Sequence, residues 1–427
     1  MPRCFLFRSL DISTPDIYNG TMSYLKLNPI IKKFIIVVFL YGLTSSSFNG
    51  FFGIYVVELG HPESLVGTVL ALRRFAVALF TFFIAFIAGK IGHKRTLMLG
   101  LATVGLSSIA IVLVEDITLI MAMAMVFGFG HAAMLTVESH FLYHQAGEEE
   151  RVHAFSLTFA TRNAAFMTGS LVTGLLADYF ATYMGAGVMS LRYSLLIISL
   201  MSLIALFPLA LLKPKTQKKA KPLSAKEFRG FFTKMNVSYL FYTGLIGLGA
   251  GLVVPFFGVY LKYMLDTTDS IVGLILSFAQ LGTVVGGLSV PMIGKRIGSY
   301  KTIVLTQILS IPLLIAIGFP QGLLVVAVAF FLRSSLMNMG QPLIRNISMD
   351  IVSEKHRPLM ASMRAMINSL TRAAGIFFGG ALMEGYTYNT PYIFTILLYL
   401  LGTVVFYRLF RSRFLGAKEA AAGEFSS

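Results

Sequence analysis

The chain has 427 residues, of which 56% are hydrophobic and only 13% charged, with 35 Lys and Arg against 19 Asp and Glu. A soluble protein carries roughly 25% charged residues, so this composition excludes a soluble core and points to the bilayer as solvent. A single cysteine, Cys4, excludes intramolecular disulfides and CxxC or zinc patterns, and no cofactor is expected.

Residues 1–29 mix Arg3, Arg8, Asp11, Asp16 and Lys26 with turn formers and lack the apolar run of a cleavable signal peptide, which predicts a cytoplasmic N-terminal tail. Met22 is an alternative start, and the sequon Asn19-Gly20-Thr21 in such a tail is expected to be chance. Apolar runs then recur near 34–57, 64–88, 96–114, 117–142, 153–177 and 187–212, and again near 236–261, 270–293, 302–319, 322–347, 357–383 and 390–410. Most approach or exceed the roughly 20 residues that cross a bilayer as helix. The reading is an all-α membrane protein of twelve transmembrane helices, in a six-helix bundle over 30–212 and another over 235–410, with a cytoplasmic tail over 411–427. Between them, Lys213 to Lys234 holds eight Lys and Arg against Glu227 alone, a basic cytoplasmic linker. With both termini inside, the Lys-rich loops fall on one face, as the positive-inside bias requires. The pI near 9.8 then follows from topology and calls for no nucleic acid partner. The expected partners are the lipid bilayer of the cell membrane and a small-molecule substrate, with a proton or counter-anion as coupled species.

The two halves are copies. Glu63-Ser64-Leu65-Val66-Gly67 matches Asp269-Ser270-Ile271-Val272-Gly273 at an offset of 206, which also pairs Ile91-Gly92 with Ile297-Gly298, Gly169 with Gly375, Gly174 with Gly380 and Asp178 with Glu384. At 205 it pairs Phe51-Phe52-Gly53-Ile54-Tyr55 with Phe256-Phe257-Gly258-Val259-Tyr260. An offset of six spans keeps orientation, so the repeat is parallel, the arrangement that lets one half of a transporter rock against the other around a midplane site. No enzymatic activity is expected of it.

Over about residues 30 to 410 the chain resembles the major facilitator superfamily: six plus six spans, a long basic central loop, and a glycine and basic signature between the second and third spans. That signature aligns as Ala85-Phe86-Ile87-Ala88-Gly89-Lys90-Ile91-Gly92-His93-Lys94-Arg95, with a second copy from Pro291 to Lys301. Gly89 and Lys295 stand where the family has an acid. The resemblance implies alternating access, with Lys90, Gly92, Lys94, Arg95, Arg296 and Gly298 as gating residues. The proline of the family's proton-antiporter signature is missing between Gly169 and Gly174.

Ionisable groups inside a bilayer are expensive, so each calls for a reason. Seven arginines, Arg73, Arg74, Arg162, Arg333, Arg345, Arg364 and Arg372, lie in the span interiors with one acid, Glu138. Arg364, Asn368 and Arg372 share one helix face at steps of four, as do Tyr41, Ser45 and Asn49 in the first span. Gly50 and Pro255 hold corresponding positions, so the first and seventh spans are expected to bend beside a shared cavity. Forked guanidinium donors suit a carboxylate, phosphate or sulfonate. The expected substrate contacts are Tyr41, Ser45, Asn49, Arg73, Arg162, Arg333, Asn368 and Arg372. Arg345 and Arg364, near the inner surface, are expected to cap helix ends or snorkel, and only one of the adjacent Arg73 and Arg74 to face the cavity. His131 and Glu138, two turns apart on one face and with Arg162 of the following span at the depth of His131, suit proton coupling, or Glu138 is a structural salt-bridge partner. The reading is a secondary transporter with an anion preferred. The 37 Phe and 21 Met leave an exporter of amphipathic drugs or lipids as an alternative, and a non-transporting membrane sensor as another.

Overall fold

The computed structural model of the chain describes residues 28–147, 150–212 and 230–424. The expected N-terminal tail with Cys4, Asn19 and Met22, and nearly all of the basic linker, lie outside them.

Twelve long helices follow one another with no strand among the described residues. The first half comprises α1 (Pro29–Gly50), α2 (Glu63–Ile91), α3 (His93–Leu113), α4 (Ile117–Gln145), α5 (Arg151–Met184) and α6 (Val188–Ile204). The second comprises α7 (Lys234–Val253), α8 (Asp269–Ile297), α9 (Ser299–Gly318), α10 (Leu323–Asp350), α11 (Arg357–Gly385) and α12 (Thr390–Glu424). Eleven are long and apolar enough to cross a membrane. The exception, α11, is long enough but carries the Arg364, Asn368 and Arg372 stripe. It can sit in a membrane protein because it packs between α2 and α7.

Helix starts are set by local chemistry. The side chain of Asn28 accepts from the Ile30 amide at 2.9 Å and Pro29 follows it; Asp116 accepts from the Leu119 amide at 2.9 Å. Between α2 and α3, and at the matching place between α8 and α9, the chain turns through Gly92 (φ 87°) and Gly298 (φ 83°), a left-handed conformation that favours glycine. Outward faces are apolar: Leu288 is 75% and Leu324 78% exposed, which only a lipid surround makes tolerable for so many residues.

The expected bends are present. After Gly50 the backbone turns at Phe51 and resumes as a short helix, Phe52–Glu58. After Val253 comes a 3₁₀ turn, Val254–Phe256, with Pro255 inside it, then Phe257–Val259 and a π turn, Tyr260–Met264. These two interrupted helices press together: a Cβ on Gly258 would lie 1.9 Å from the Gly50 carbonyl oxygen. The halves also meet along α2 with α11 and α5 with α8, two pairings that the repeat exchanges. We call the end at which Leu212 and Gly230 lie the linker end and the other the far end.

Candidate functional site

A cavity lies between the halves, in two lobes that share Asn49, Val254 and Arg372. The first, about 300 Å³, is bounded by α1, α2, α4 and α5 of the first half and by the interrupted part of the seventh span and α11; Ser45, Arg73, Arg74 and His131 are its polar groups besides Asn49 and Arg372. Its walls are otherwise apolar, with Leu70, Val77, Phe127, Phe166 and Pro255. The second, about 540 Å³, belongs mainly to the second half and is lined by Arg333, Arg345, Arg364, Asn368 and Arg372, with Gln280, Asn338, Gln341 and several hydroxyls. Six arginines therefore line the combined cavity, and among the described residues no carboxylate does.

The arginines are not equivalent. Arg73 is held by the protein: it donates to the Phe48 carbonyl at 3.1 Å and to Asn49 Oδ1 at 2.9 Å, and its guanidinium lies 5.7 Å from the Phe52 ring and 5.5 Å from the Phe127 ring. It thereby donates to the carbonyl end of α1, where helical pairing stops. By contrast the buried Nε of Arg74, of Arg333 and of Arg364 each lacks a hydrogen-bond partner. Arg333 is 5% exposed and faces the Phe257 ring at 5.6 Å. A buried guanidinium donor with no acceptor is costly, and an anion entering the cavity would supply the acceptor.

This geometry differs from four expectations. Arg73 and Arg74 both line the first lobe, because side chains this long reach around the 100° between adjacent helical positions. Arg345 and Arg364 line the second lobe instead of turning to the surface, because the cavity extends along α10 and α11 beyond mid-depth. Arg162 does not line either lobe; its guanidinium pairs with Glu138 across α4 and α5, the carboxylate buried and the arginine 40% exposed. His131 bonds to the Tyr41 hydroxyl instead, so His131 and Glu138 have separate partners, and Tyr41, expected as a substrate contact, lines neither lobe.

Of the signature residues, Lys94 donates to the Ala210 and Leu212 carbonyls, both at 2.6 Å, closing the last turns of the sixth span within its own half. Lys90 lies 4.4 Å from the Phe86 ring, and Arg95 and Arg296 are exposed. Gln280, Asn338 and Gln341 line the second lobe in addition to the expected contacts. The signal was present for α10, where Ser334, Asn338, Gln341 and Arg345 recur at steps of four, three and four and form one polar face. Asn163 joins the halves at mid-depth by accepting from Gln280.

Two parallel-repeat helical bundles around a midplane cavity define a membrane transporter. The Major Facilitator Superfamily family model matches residues 34–246 and again 239–425, once per half, and the chain belongs to that family. Among solved structures, the nucleoside transporter NupG is 15% identical with a TM-score of 0.75, over 90% of this chain and 99% of that one. A bacterial homolog to the human lysosomal transporter Spinster, in an inward-facing and unoccupied conformation, is 13% identical with a TM-score of 0.72, over 91% and 97%. A bacterial homologue of the iron transporter ferroportin in an inward-facing state is 13% identical with a TM-score of 0.70, over 89% and 98%. At such identities these structures share the fold alone. No curated protein matches the sequence.

Proposed function

We propose that the protein is a secondary transporter of an amphipathic organic anion, working by alternating access in the cell membrane with its linker end in the cytoplasm. The observation that carries this reading is a cavity lined, among the described residues, by six arginines and no carboxylate, in which Arg74, Arg333 and Arg364 each keep a buried donor without an acceptor. The charged group of the solute is held by Arg333, Arg364 and Arg372, with Asn338 and Asn368 beside it. Its apolar part lies against Phe127, Phe166 and Pro255 in the first lobe. A lipophilic cation would meet uncompensated positive charge at every approach.

The test is ligand binding to purified protein, by calorimetry over size-matched carboxylates, phosphates, sulfonates and lipophilic cations. Each charge-assisted hydrogen bond contributes about 1.5 to 3 kcal/mol, so Arg333→Gln and Arg372→Gln are each expected to weaken anion binding by roughly ten- to a hundredfold. Lysine should restore it only in part, because it lacks the planar fork. Unchanged affinity in both Gln variants, or tightest binding of a lipophilic cation, would overturn the anion reading in favour of an exporter of amphipathic cations.

A further inference from the structure

The far end of the molecule is closed by contacts that obey the internal repeat. Asp178, near the end of α5, accepts through Oδ1 from the Asp269 amide at 3.2 Å and through Oδ2 from the Ser270 amide at 3.0 Å, at the first turn of α8 in the opposite half. Glu384, near the end of α11, accepts through Oε2 from the Ser64 amide at 3.1 Å, at the first turn of α2. The offset of 206 that relates the halves carries Asp178 to Glu384 and Ser64 to Ser270. The two contacts are therefore the same contact, made once in each direction across the interface.

The backbone beneath them obeys the same rule. A Cβ on Gly174 would lie 2.2 Å from the Asp269 carbonyl oxygen, and one on Gly380, its repeat mate, 2.4 Å from the Glu63 carbonyl oxygen. Gly273 faces Ser170 and Gly174 in one seam, while Gly67 faces Ile376 and Gly380 in the other. Glycine at these positions lets each carboxylate-bearing helix approach the opposing helix start closely enough to reach its free amides. The first four N–H groups of a helix have no partner within it and carry partial positive charge, so a carboxylate is the side chain that suits them. Pro62, ahead of α2, offers no side-chain cap, which leaves Glu384 in that role. Around the pair, Lys262 lies 3.0 Å from Glu58, Tyr263 donates to Glu58 at 2.9 Å and Tyr388 donates to Glu63, each joining opposite halves.

We propose that Asp178 and Glu384 form a two-point latch that holds the far end shut while the cavity is accessible from the linker end. Breaking it leaves both helices intact: the amides freed are terminal ones that water can satisfy, and the carboxylates return to water. Because the latch is built from the repeat, its two points act in parallel and their contributions add.

The test reads the distance between spin labels at Tyr183→Cys and Tyr386→Cys, both exposed far-end positions outside the latch, in a Cys4→Ser background. Loss of a helix cap shifts a two-state equilibrium by roughly fivefold. Asp178→Ala and Glu384→Ala are each expected to raise the ratio of long to short distances by about that factor, and together by about twenty-fivefold, with Asp178→Asn intermediate because it keeps an acceptor without the charge. Gly174→Ala, which alters no charge, is expected to give the same shift by prising the seam apart. An unchanged ratio in the double alanine variant would overturn the latch, and so would a shift produced by Gly174→Ala but by neither carboxylate variant. Should the double variant not fold, the two single variants carry the same test, and unchanged ratios in both would sink it. None of these outcomes depends on which solute is carried.

Discussion

Adjacent arginines can hold different offices. Arg73 closes the carbonyl end of α1 and lies near two aromatic rings, whereas Arg74, one residue on, has a buried Nε with no partner. Arg73→Gln is therefore expected to lower the melting temperature by several degrees, and Arg74→Gln to leave it nearly unchanged while weakening anion binding. Thermal melts followed by circular dichroism, set beside calorimetry, separate the two. Glu138 poses a complementary case. Its carboxylate is buried, but Arg162 is 40% exposed. Glu138→Gln should thus fold, with a stability loss on the order of 1 kcal/mol. If the pair carries the coupled proton, the pH profile of transport in proteoliposomes flattens in the variant; an unchanged profile leaves Glu138 a structural role.

At the scale of elements, the interruptions of the first and seventh spans place Asn49, Gly50 and Pro255 on the cavity wall, and they depend on one close crossing. A Cβ at Gly258 would lie 1.9 Å from the Gly50 carbonyl oxygen. Gly→Ala in a helix ordinarily stabilises by about 0.4 to 1 kcal/mol through the unfolded chain. Here it should instead destabilise by about 1 to 3 kcal/mol, the usual effect of overpacking. The expected result is a lower melting temperature for Gly258→Ala and a smaller change, or a gain, for Gly244→Ala, whose added Cβ would meet only ordinary contact at 3.4 Å from Thr371. Equal melting temperatures would show that the crossing yields.

For the whole molecule, the positive charge of residues 213–234 is expected to orient the bundle with the linker end inside, since Lys and Arg resist translocation and favour the anionic inner leaflet. An engineered Lys218→Cys in a Cys4→Ser background is expected to resist an impermeant thiol reagent applied to intact cells and to react once the membrane is opened. Ready labelling from outside would reverse the orientation, and with it the side on which the Asp178 and Glu384 latch stands.

Sequence by itself determined the twelve spans, the parallel repeat and the concentration of guanidinium groups along particular helix faces. These follow from hydropathy, periodicity and the cost of charge in a bilayer, all of which act along the chain. The bends at Gly50 and Pro255 were legible for the same reason, as local breakers at corresponding places in two copies. Only the tertiary structure decided which partner each polar group takes. That Glu138 pairs with Arg162 and His131 with Tyr41, that Arg345 and Arg364 line the cavity, and that Asp178 caps α8 all depend on helix rotation and depth. Those are fixed by close packing between helices distant in sequence, where glycine seams let backbones touch. The pairing of Asp178 with Glu384 at one offset was visible in the sequence as a match, but its meaning was not, because a repeat aligns residues with their copies and not with the residues they touch.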